Sequence, residues 1–173
     1  MATSKINKQI FIINGTGGSG KDSFVEFVNR IVPVYNVSSV DTIKAMAECI
    51  GWNGSKTEKD RKFLSDLKRL CTDYNDSPFT YLLRCVALFR NHSNALFMFI
   101  HIREPEEIER AVNRFGAKTI LVRNDNVPNI NTNISDGSVY DYAYDYVIEN
   151  NGTLDDLKDA ARLFVEEVNK NEV

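Results

Sequence analysis

Four glycines and a lysine lie close together in residues 15–22, which read GTGGSGKD. Gly15, Gly20 and Lys21 match the pattern G-x-x-x-x-G-K-[ST]. Glycine lets a backbone approach an anion closely, and the N–H groups of such a loop converge on a phosphate. Lys21 would add a cation for the outer phosphates. Gly/Ser-rich turns also join strands to helices without binding anything, but this spacing favours phosphate binding.

The position after Lys21 holds Asp22, where the pattern has a serine or threonine whose hydroxyl binds Mg²⁺. The Asp22 carboxylate could bind the ion directly or through water, and the Ser23 hydroxyl could serve instead. Both residues are therefore candidate metal ligands. The predicted cofactor-binding residues are Gly15, Gly17, Gly18, Ser19, Gly20, Lys21, Asp22 and Ser23.

Strand-like and helix-like stretches alternate along the chain, which indicates an α/β fold with a largely parallel sheet. The segment before the glycines, QIFIIN, is continuously apolar, as in a strand buried on both faces. The most hydrophobic stretch, ALFMFIHI at 95–102, is predicted to be the central strand. The predicted strands are Gln9–Asn14, Val34–Ser38, 95–102, 119–122 and Tyr146–Glu149. The predicted helices run from Lys21 towards Pro33, over 41–50, 57–73, 79–90 and 104–115, and from Thr153 onward.

Two of these helices carry an apolar stripe at helical spacing. In 57–73 the stripe consists of Phe63, Leu64, Leu67, Leu70 and Cys71. In the last helix it consists of Leu154, Leu157, Ala160, Ala161, Phe164, Val165 and Val168. Thr153 and Asp156 precede the second stripe at the spacing of a capping box.

Charged residues follow three predicted strands, at the edge where parallel sheets bind ligands. Asp41 is a candidate general base or orienting group, or alternatively the N-cap of its helix. Arg103 could grip a phosphate bidentately, or pair with a nearby glutamate. Arg123 leads into the Asn-rich loop 124–137 and could neutralise charge from a short lid, or be an ordinary loop arginine.

The strand 95–102 ends in His101 and Ile102, without the aspartate that a motor ATPase or switch GTPase would have there. This favours small-molecule phosphoryl transfer, in which positioning and charge neutralisation do most of the catalysis.

Length and composition limit the classes of protein to which the chain can belong. A chain of 173 residues suits one domain, and a net charge of −3 argues against a general nucleic-acid binder. Residues 1–123 hold 18 Lys and Arg against 13 Asp and Glu, whereas 124–173 hold 3 against 11. The excess of positive charge in the first part would suit a small phosphorylated ligand, or alternatively reflects a mix of solvated faces.

Three scattered cysteines and two histidines argue against a disulfide framework or a zinc site. The longest apolar run is too short to span a membrane, and no signal-peptide pattern opens the chain, so we expect a cytoplasmic protein without a membrane partner.

Four segments resemble the P-loop deoxynucleoside monophosphate kinases and their relatives, the animal-type phosphomevalonate kinases and, more distantly, the dephospho-CoA kinases. SGKD at 19–22 has the family's aspartate after the lysine, and VSSVDTIK resembles its Ala-Asp-Pro-Leu-Lys segment at Asp41 and Lys44. HIREPEEIERAVNRFGAKTILVRN resembles its Asp-Val-Arg block, with Arg103 and Arg123 at matching positions. YDYVIENNGTL at 144–154 resembles the family's ending, near which the adenine packs. The chain departs from the family at His101, where the family has aspartate, and at 133–136, where it has His-x-Ser-Glu.

The patterns and the resemblance together predict a single domain over 1–173 with a three-layer α/β/α P-loop nucleoside triphosphate hydrolase fold and a five-stranded parallel sheet. The resemblance implies an ATP- and Mg²⁺-dependent kinase that phosphorylates a phosphorylated acceptor, first of all a nucleoside or deoxynucleoside monophosphate. Lys21, Asp41, Arg103 and Arg123 would be its catalytic residues. Asp136 could contact Mg²⁺ or the acceptor, or alternatively belong to a Ser-Asp-Gly turn. A kinase for another phosphorylated metabolite, and a nucleotide-binding protein without transfer activity, remain alternatives. The oligomeric state stays open, a homodimer included.

Overall fold

The computed structural model of the protein describes residues 7–127 and 139–170, and these ranges contain five strands and six helices. The strands are β1 Gln9–Asn14, β2 Val34–Ser38, β3 Phe97–His101, β4 Lys118–Arg123 and β5 Tyr146–Glu149. The helices are α1 Lys21–Asn29, α2 Asp41–Cys49, α3 Glu58–Asn75, α4 Ser77–His92, α5 Pro105–Phe115 and α6 Leu154–Lys170. None of the helices in the described part of the chain combines the length and the apolar character that crossing a bilayer requires.

The five strands form one parallel sheet in the order β2-β3-β1-β4-β5. Phe11 of β1 lies opposite Phe99 of β3 on one side and Lys118 of β4 on the other. The middle strand is therefore β1, and the prediction that 95–102 is the central strand was wrong by one position. Hydrophobicity does not separate the two strands, because both are interior and buried on both faces.

Aromatic rings fill the space between one face of the sheet and helices α1 and α6, which pack against each other. The Phe11 ring centroid lies 5.2 Å from that of Phe97 and 5.2 Å from that of Phe164 on α6. Phe24 of α1 lies 5.5 Å from Phe164. These edge-on contacts fix α1, and with it the chain that leads from β1 into α1.

Helix α5 contacts β1 and buries Ile108, Ala111 and Phe115. Successive strand residues point to opposite faces, so Ile10 and Ile12 face away from the Phe11 cluster. The α5 side chains are not part of that cluster and cover this other face. Helix, sheet and helix thus form the three layers that the sequence predicts.

The chain divides into two compact units, the first built from residues up to 36 together with those from 93 onward, the second from Val37–His92. In the second unit α2, α3 and α4 pack against one another. Helix α4 buries Phe79, Leu82 and Phe89. Helix α3 buries no side chain, and Leu70 of its predicted stripe is 58% exposed.

Candidate functional site

The glycine-rich segment joins the end of β1 to the start of α1, at the carboxyl edge of the sheet and in its middle. Gly15 has φ +149°, and a Cβ there would collide with the Val122 carbonyl oxygen of β4. Gly20 has φ +97°, and a Cβ there would collide with the Asn150 side chain. A Cβ on Gly17 would meet no described atom within 4 Å, so the loop is tightly held at its two ends and open between them.

Helix α1 begins at Lys21 with Gly20 as its N-cap, and none of the side chains that the structure describes caps it. The first N–H groups of a helix have no partner within the helix and carry a partial positive charge. They therefore point at the same space as the loop, and a helix terminus of this kind binds anions.

The Lys21 ammonium lies over the loop itself. Its Nζ donates to the carbonyl oxygens of Gly15, at 2.6 Å, and Thr16, at 2.8 Å, and contacts the Ser19 hydroxyl at 3.4 Å. The cation is thus held where the loop turns, beside the helix N-terminus. A phosphate group bound by the loop amides would lie within its reach.

Asp22 and Ser23 occupy the first turn of α1, with Asp22 exposed and Ser23 half-buried. No group of three or more His, Cys, Asp or Glu side chains able to hold a metal occurs among the described residues. Mg²⁺ is commonly bound by one or two protein oxygens together with substrate phosphates. The carboxylate of Asp22 and the hydroxyl of Ser23, beside the glycine-rich loop, fit that donor set.

Asn14 connects the loop to the end of the neighbouring strand. Its side chain is 1% exposed, and its Oδ1 accepts a hydrogen bond from the Gly15 N–H at 2.8 Å. Its Nδ2 donates to the Arg103 carbonyl oxygen at 3.1 Å and to the Tyr144 hydroxyl at 2.8 Å. The loop and the main chain at Arg103 are therefore linked through one buried amide.

Asn150 holds the other end of the loop. It directly follows β5, its Nδ2 donates to the Ser19 carbonyl oxygen at 2.9 Å, and its backbone N–H donates to the Arg123 carbonyl oxygen at 2.7 Å. The sequence reasoning did not select Asn14 or Asn150. The signal they share is an asparagine at the carboxyl end of an apolar strand, since Asn14 is the last residue of IFIIN and Asn150 directly follows YVIE.

Arg103 and His101 lie at the end of β3. The Arg103 side chain is half-buried, and its main chain is tied to Asn14. The His101 Nε2 lies 3.0 Å from the Asn36 Oδ1 of β2, so the imidazole ring contacts the edge strand of the sheet. The main chain at Arg103 thus lies next to the start of the glycine-rich loop, and the role of its side chain in a reaction stays a prediction.

Arg123 ends β4 and is paired with carboxylates on both sides. Its NH2 lies 3.0 Å from Glu149 of β5, and its Nε lies 3.4 Å from Asp125. The turn that follows Arg123 is held by the segment after β5, since Asn126 Nδ2 donates to the Asn151 carbonyl oxygen at 2.9 Å. Arg123 is exposed enough for these pairs to be weak, about 0–1 kcal/mol each.

Asp41 belongs to the second unit and is the first residue of α2. Its carboxylate accepts the Ser38 backbone N–H at 2.7 Å, while the N-cap of α2 is Val40. The alternative that Asp41 is the N-cap is therefore wrong by one position. Its role in a reaction stays a prediction.

Most of the predicted lid, residues 128–137 of the loop 124–137, lies outside the described residues, as does Asp136. Of the loop 124–137 the structure describes 124–127. The Val127 side chain lies against the glycine-rich loop, 3.6 Å from where a Cβ on Gly18 would be.

No protein-family model and no curated protein sequence matches this chain. Its structure is similar to that of the dephospho-CoA kinase from Campylobacter jejuni, with a TM-score of 0.55 and 18% sequence identity over 94% of this chain and 98% of that one. It is also similar to shikimate kinase from Acinetobacter baumannii in complex with shikimate, with a TM-score of 0.51 and 12% identity over 96% of each chain. The chain therefore has the three-layer α/β/α P-loop fold of these kinases, with a five-stranded parallel sheet.

Proposed function

We propose that this protein is an ATP- and Mg²⁺-dependent small-molecule kinase that transfers a γ-phosphoryl group to a phosphorylated acceptor. The observation that carries the proposal is the loop 15–20, where glycine backbone, an uncapped helix N-terminus and the Lys21 ammonium meet at the carboxyl edge of the sheet. Backbone donors and a cation directed at one point suit a polyphosphate. The acceptor that we propose first is a nucleoside or deoxynucleoside monophosphate, following the sequence resemblance.

Within this proposal Lys21 leaves the carbonyl oxygens of Gly15 and Thr16 and binds the outer phosphates of ATP. Asp22 and Ser23 hold Mg²⁺, which when bound neutralises charge on those phosphates. Asn150 keeps the Ser19 end of the loop in place.

The acceptor side of the proposal uses three further residues. Arg103 binds the acceptor phosphate, and Asp41 orients the acceptor or takes its proton. Arg123 leaves Glu149 and neutralises charge on the transferred group. Because an exposed ion pair is worth about 0–1 kcal/mol, this rearrangement costs little.

A nucleotide-binding protein without transfer activity is the second candidate. It is favoured by His101, an imidazole where the kinases that the sequence resembles have a carboxylate.

A coupled assay of ADP release separates these candidates. The acceptors to test with Mg·ATP are the nucleoside and deoxynucleoside monophosphates, phosphomevalonate and dephospho-CoA. Turnover with one acceptor supports the kinase, whereas binding of Mg·ATP without turnover on any acceptor supports the binding protein. No heat from Mg·ATP or Mg·GTP at millimolar concentrations in calorimetry would contradict both.

Lys21→Ala should abolish nucleotide binding and turnover alike, because the loop loses its cation. Lys118→Ala is the matched control, since Lys118 is exposed and begins β4 at the opposite edge of the sheet. The control should bind Mg·ATP as the wild type does. Equal losses in both variants would contradict the role of Lys21.

A further inference from the structure

Tyr144 lies just before β5 and reaches the start of the phosphate-binding loop through one hydrogen bond. Its hydroxyl accepts from Asn14 Nδ2 at 2.8 Å and donates to the Val139 carbonyl oxygen at 2.8 Å. The tyrosine therefore joins the main chain at 139 to the buried amide that ends β1.

The Asn14 amide has two N–H donors, and both are used. One bonds the Arg103 carbonyl oxygen and the other the Tyr144 hydroxyl, while Oδ1 accepts the Gly15 N–H. Since the amide is planar, these three bonds together set its rotation about the side-chain bond. Tyr144 is the only one of the three contributed by a side chain.

We propose that Tyr144 is a positioning residue of the phosphate-binding loop, whose hydroxyl orients the Asn14 amide and through it the Gly15 N–H and the main chain at Arg103. The part of this proposal that concerns ATP affinity rests on the proposed function. The part that concerns the loop itself does not.

The direction of the hydrogen bonds is stable over any ordinary assay pH. Burial raises the pKa of the Tyr144 hydroxyl to about 12. The phenol therefore stays protonated and continues to donate to Val139 while it accepts from Asn14.

The substitution that tests this is Tyr144→Phe, which keeps the ring and removes only the hydroxyl. The matched control is Tyr142→Phe, because the Tyr142 ring lies edge-on to that of Tyr144 with centroids 5.2 Å apart. In the ligand-free proteins, hydrogen exchange should be about five-fold faster or more in residues 14–21 of Tyr144→Phe and unchanged in the control. Unchanged exchange in Tyr144→Phe, or equal acceleration in both variants, overturns the proposal.

Calorimetry with Mg·ATP adds a readout that a merely structural role would not move. Tyr144→Phe should weaken Mg·ATP binding about five- to ten-fold in the wild-type background and have no further effect in an Asn14→Ala background. Equal effects in the two backgrounds overturn the proposal, since Tyr144 would then not act through Asn14. If the wild type binds no Mg·ATP, the proposed function fails, while the exchange experiment still decides the role of Tyr144.

Discussion

Helices α3 and α6 begin in the same way and lie in very different surroundings. Thr57 with Asp60, and Thr153 with Asp156, form capping boxes in which each hydroxyl accepts the aspartate N–H and each carboxylate accepts the threonine N–H. The helices have 18 and 17 residues. Yet α3 buries no side chain, whereas α6 buries Leu157, Ala161, Phe164, Val165 and Val168.

The difference comes from what each helix packs against. Phe164 of α6 meets Phe11 of the middle strand and Phe24 of α1, so the apolar stripe of α6 is covered by the core of the first unit. The α3 stripe stays half-buried or exposed in the second unit. A capping box and a helical stripe thus form a helix, but tertiary packing supplies most of its stability. Matched substitutions in the two helices should therefore differ in cost.

The largest difference is expected from the same truncation in the two helices. Leu157→Ala removes a side chain that is 1% exposed and should lower the free energy of unfolding by about 2–5 kcal/mol. Leu70→Ala, at a residue 58% exposed, should change it by about 0.5 kcal/mol or less. Urea unfolding followed by far-UV circular dichroism measures both, and Trp52, the single tryptophan, reports on the second unit by fluorescence. Similar losses of unfolding free energy in the two variants would contradict the inferred difference between α3 and α6.

A second contrast concerns two glycines with positive φ, one in each unit. Gly20→Ala and Gly54→Ala should each lower the free energy of unfolding by about 1–2 kcal/mol, because φ is +97° at Gly20 and +85° at Gly54. Only Gly20→Ala adds a collision with Asn150, since a Cβ on Gly54 would meet no atom of residues 7–127 and 139–170 within 4 Å. Mg·ATP affinity should therefore fall at least ten-fold in Gly20→Ala and stay unchanged in Gly54→Ala, as measured by calorimetry.

The Asn150→Ala substitution sharpens this contrast. It removes the side chain that a Cβ at position 20 would strike. In the Gly20→Ala background it should recover part of the Mg·ATP affinity, even though it also removes the bond to Ser19. No recovery would show that the backbone conformation at Gly20, rather than the collision, is what matters.

The two capping boxes offer a smaller test. Thr153→Ala should lower the free energy of unfolding by about 1 kcal/mol, since it removes the acceptor for the Asp156 N–H from a helix that packs on the core. Thr57→Ala should appear mainly as faster hydrogen exchange in the first turn of α3. If Thr57→Ala lowers the global stability as much as Thr153→Ala, then α3 contributes as much to folding as α6.

The smallest expected effect is in the acid range. The pKa of Asp156 is lowered from its ordinary value of 3.8, chiefly because its carboxylate accepts the Thr153 backbone N–H. A pKa lowered by folding means that the stabilisation is present above pH 3.8 and is lost as the pH falls through the lower, folded-state value. The difference in unfolding free energy between the wild type and Asp156→Asn should therefore shrink as the pH falls below 3.8. A difference that does not change with pH would contradict this assignment.

Much of the fold could be predicted from local patterns. The bounds of β1, β2 and β5 match the predicted segments, and the glycine loop lies between a strand and a helix as its pattern requires. The Thr153 capping box is confirmed by its hydrogen bonds. Leu154 of the predicted buried stripe is 65% exposed, because a periodicity shows one face of a helix and not where that face stops being covered.

The candidate site was predictable only in part. The loop residues and Arg103 could be proposed as site residues because charge and glycine content at the ends of strands are visible in the sequence, and their roles stay predictions. The pairing of Arg123 with Glu149 was not, since nothing local tells that β4 and β5 are neighbours. Asn14 and Asn150 were missed because an asparagine at a strand end is common and its partners are elsewhere in the chain.

The sequence by itself determined where strands and helices form and which loop has the composition to bind phosphate, because propensity, periodicity and glycine content act over a few residues. Only the tertiary structure decided the strand order, how deeply α3 and α6 are buried, and which side chains hold the glycine-rich loop. Asn14 bonds a residue 89 positions away, and Asn150 one 131 positions away. Contacts of that separation depend on how the sheet is assembled, and no short window of sequence contains both partners.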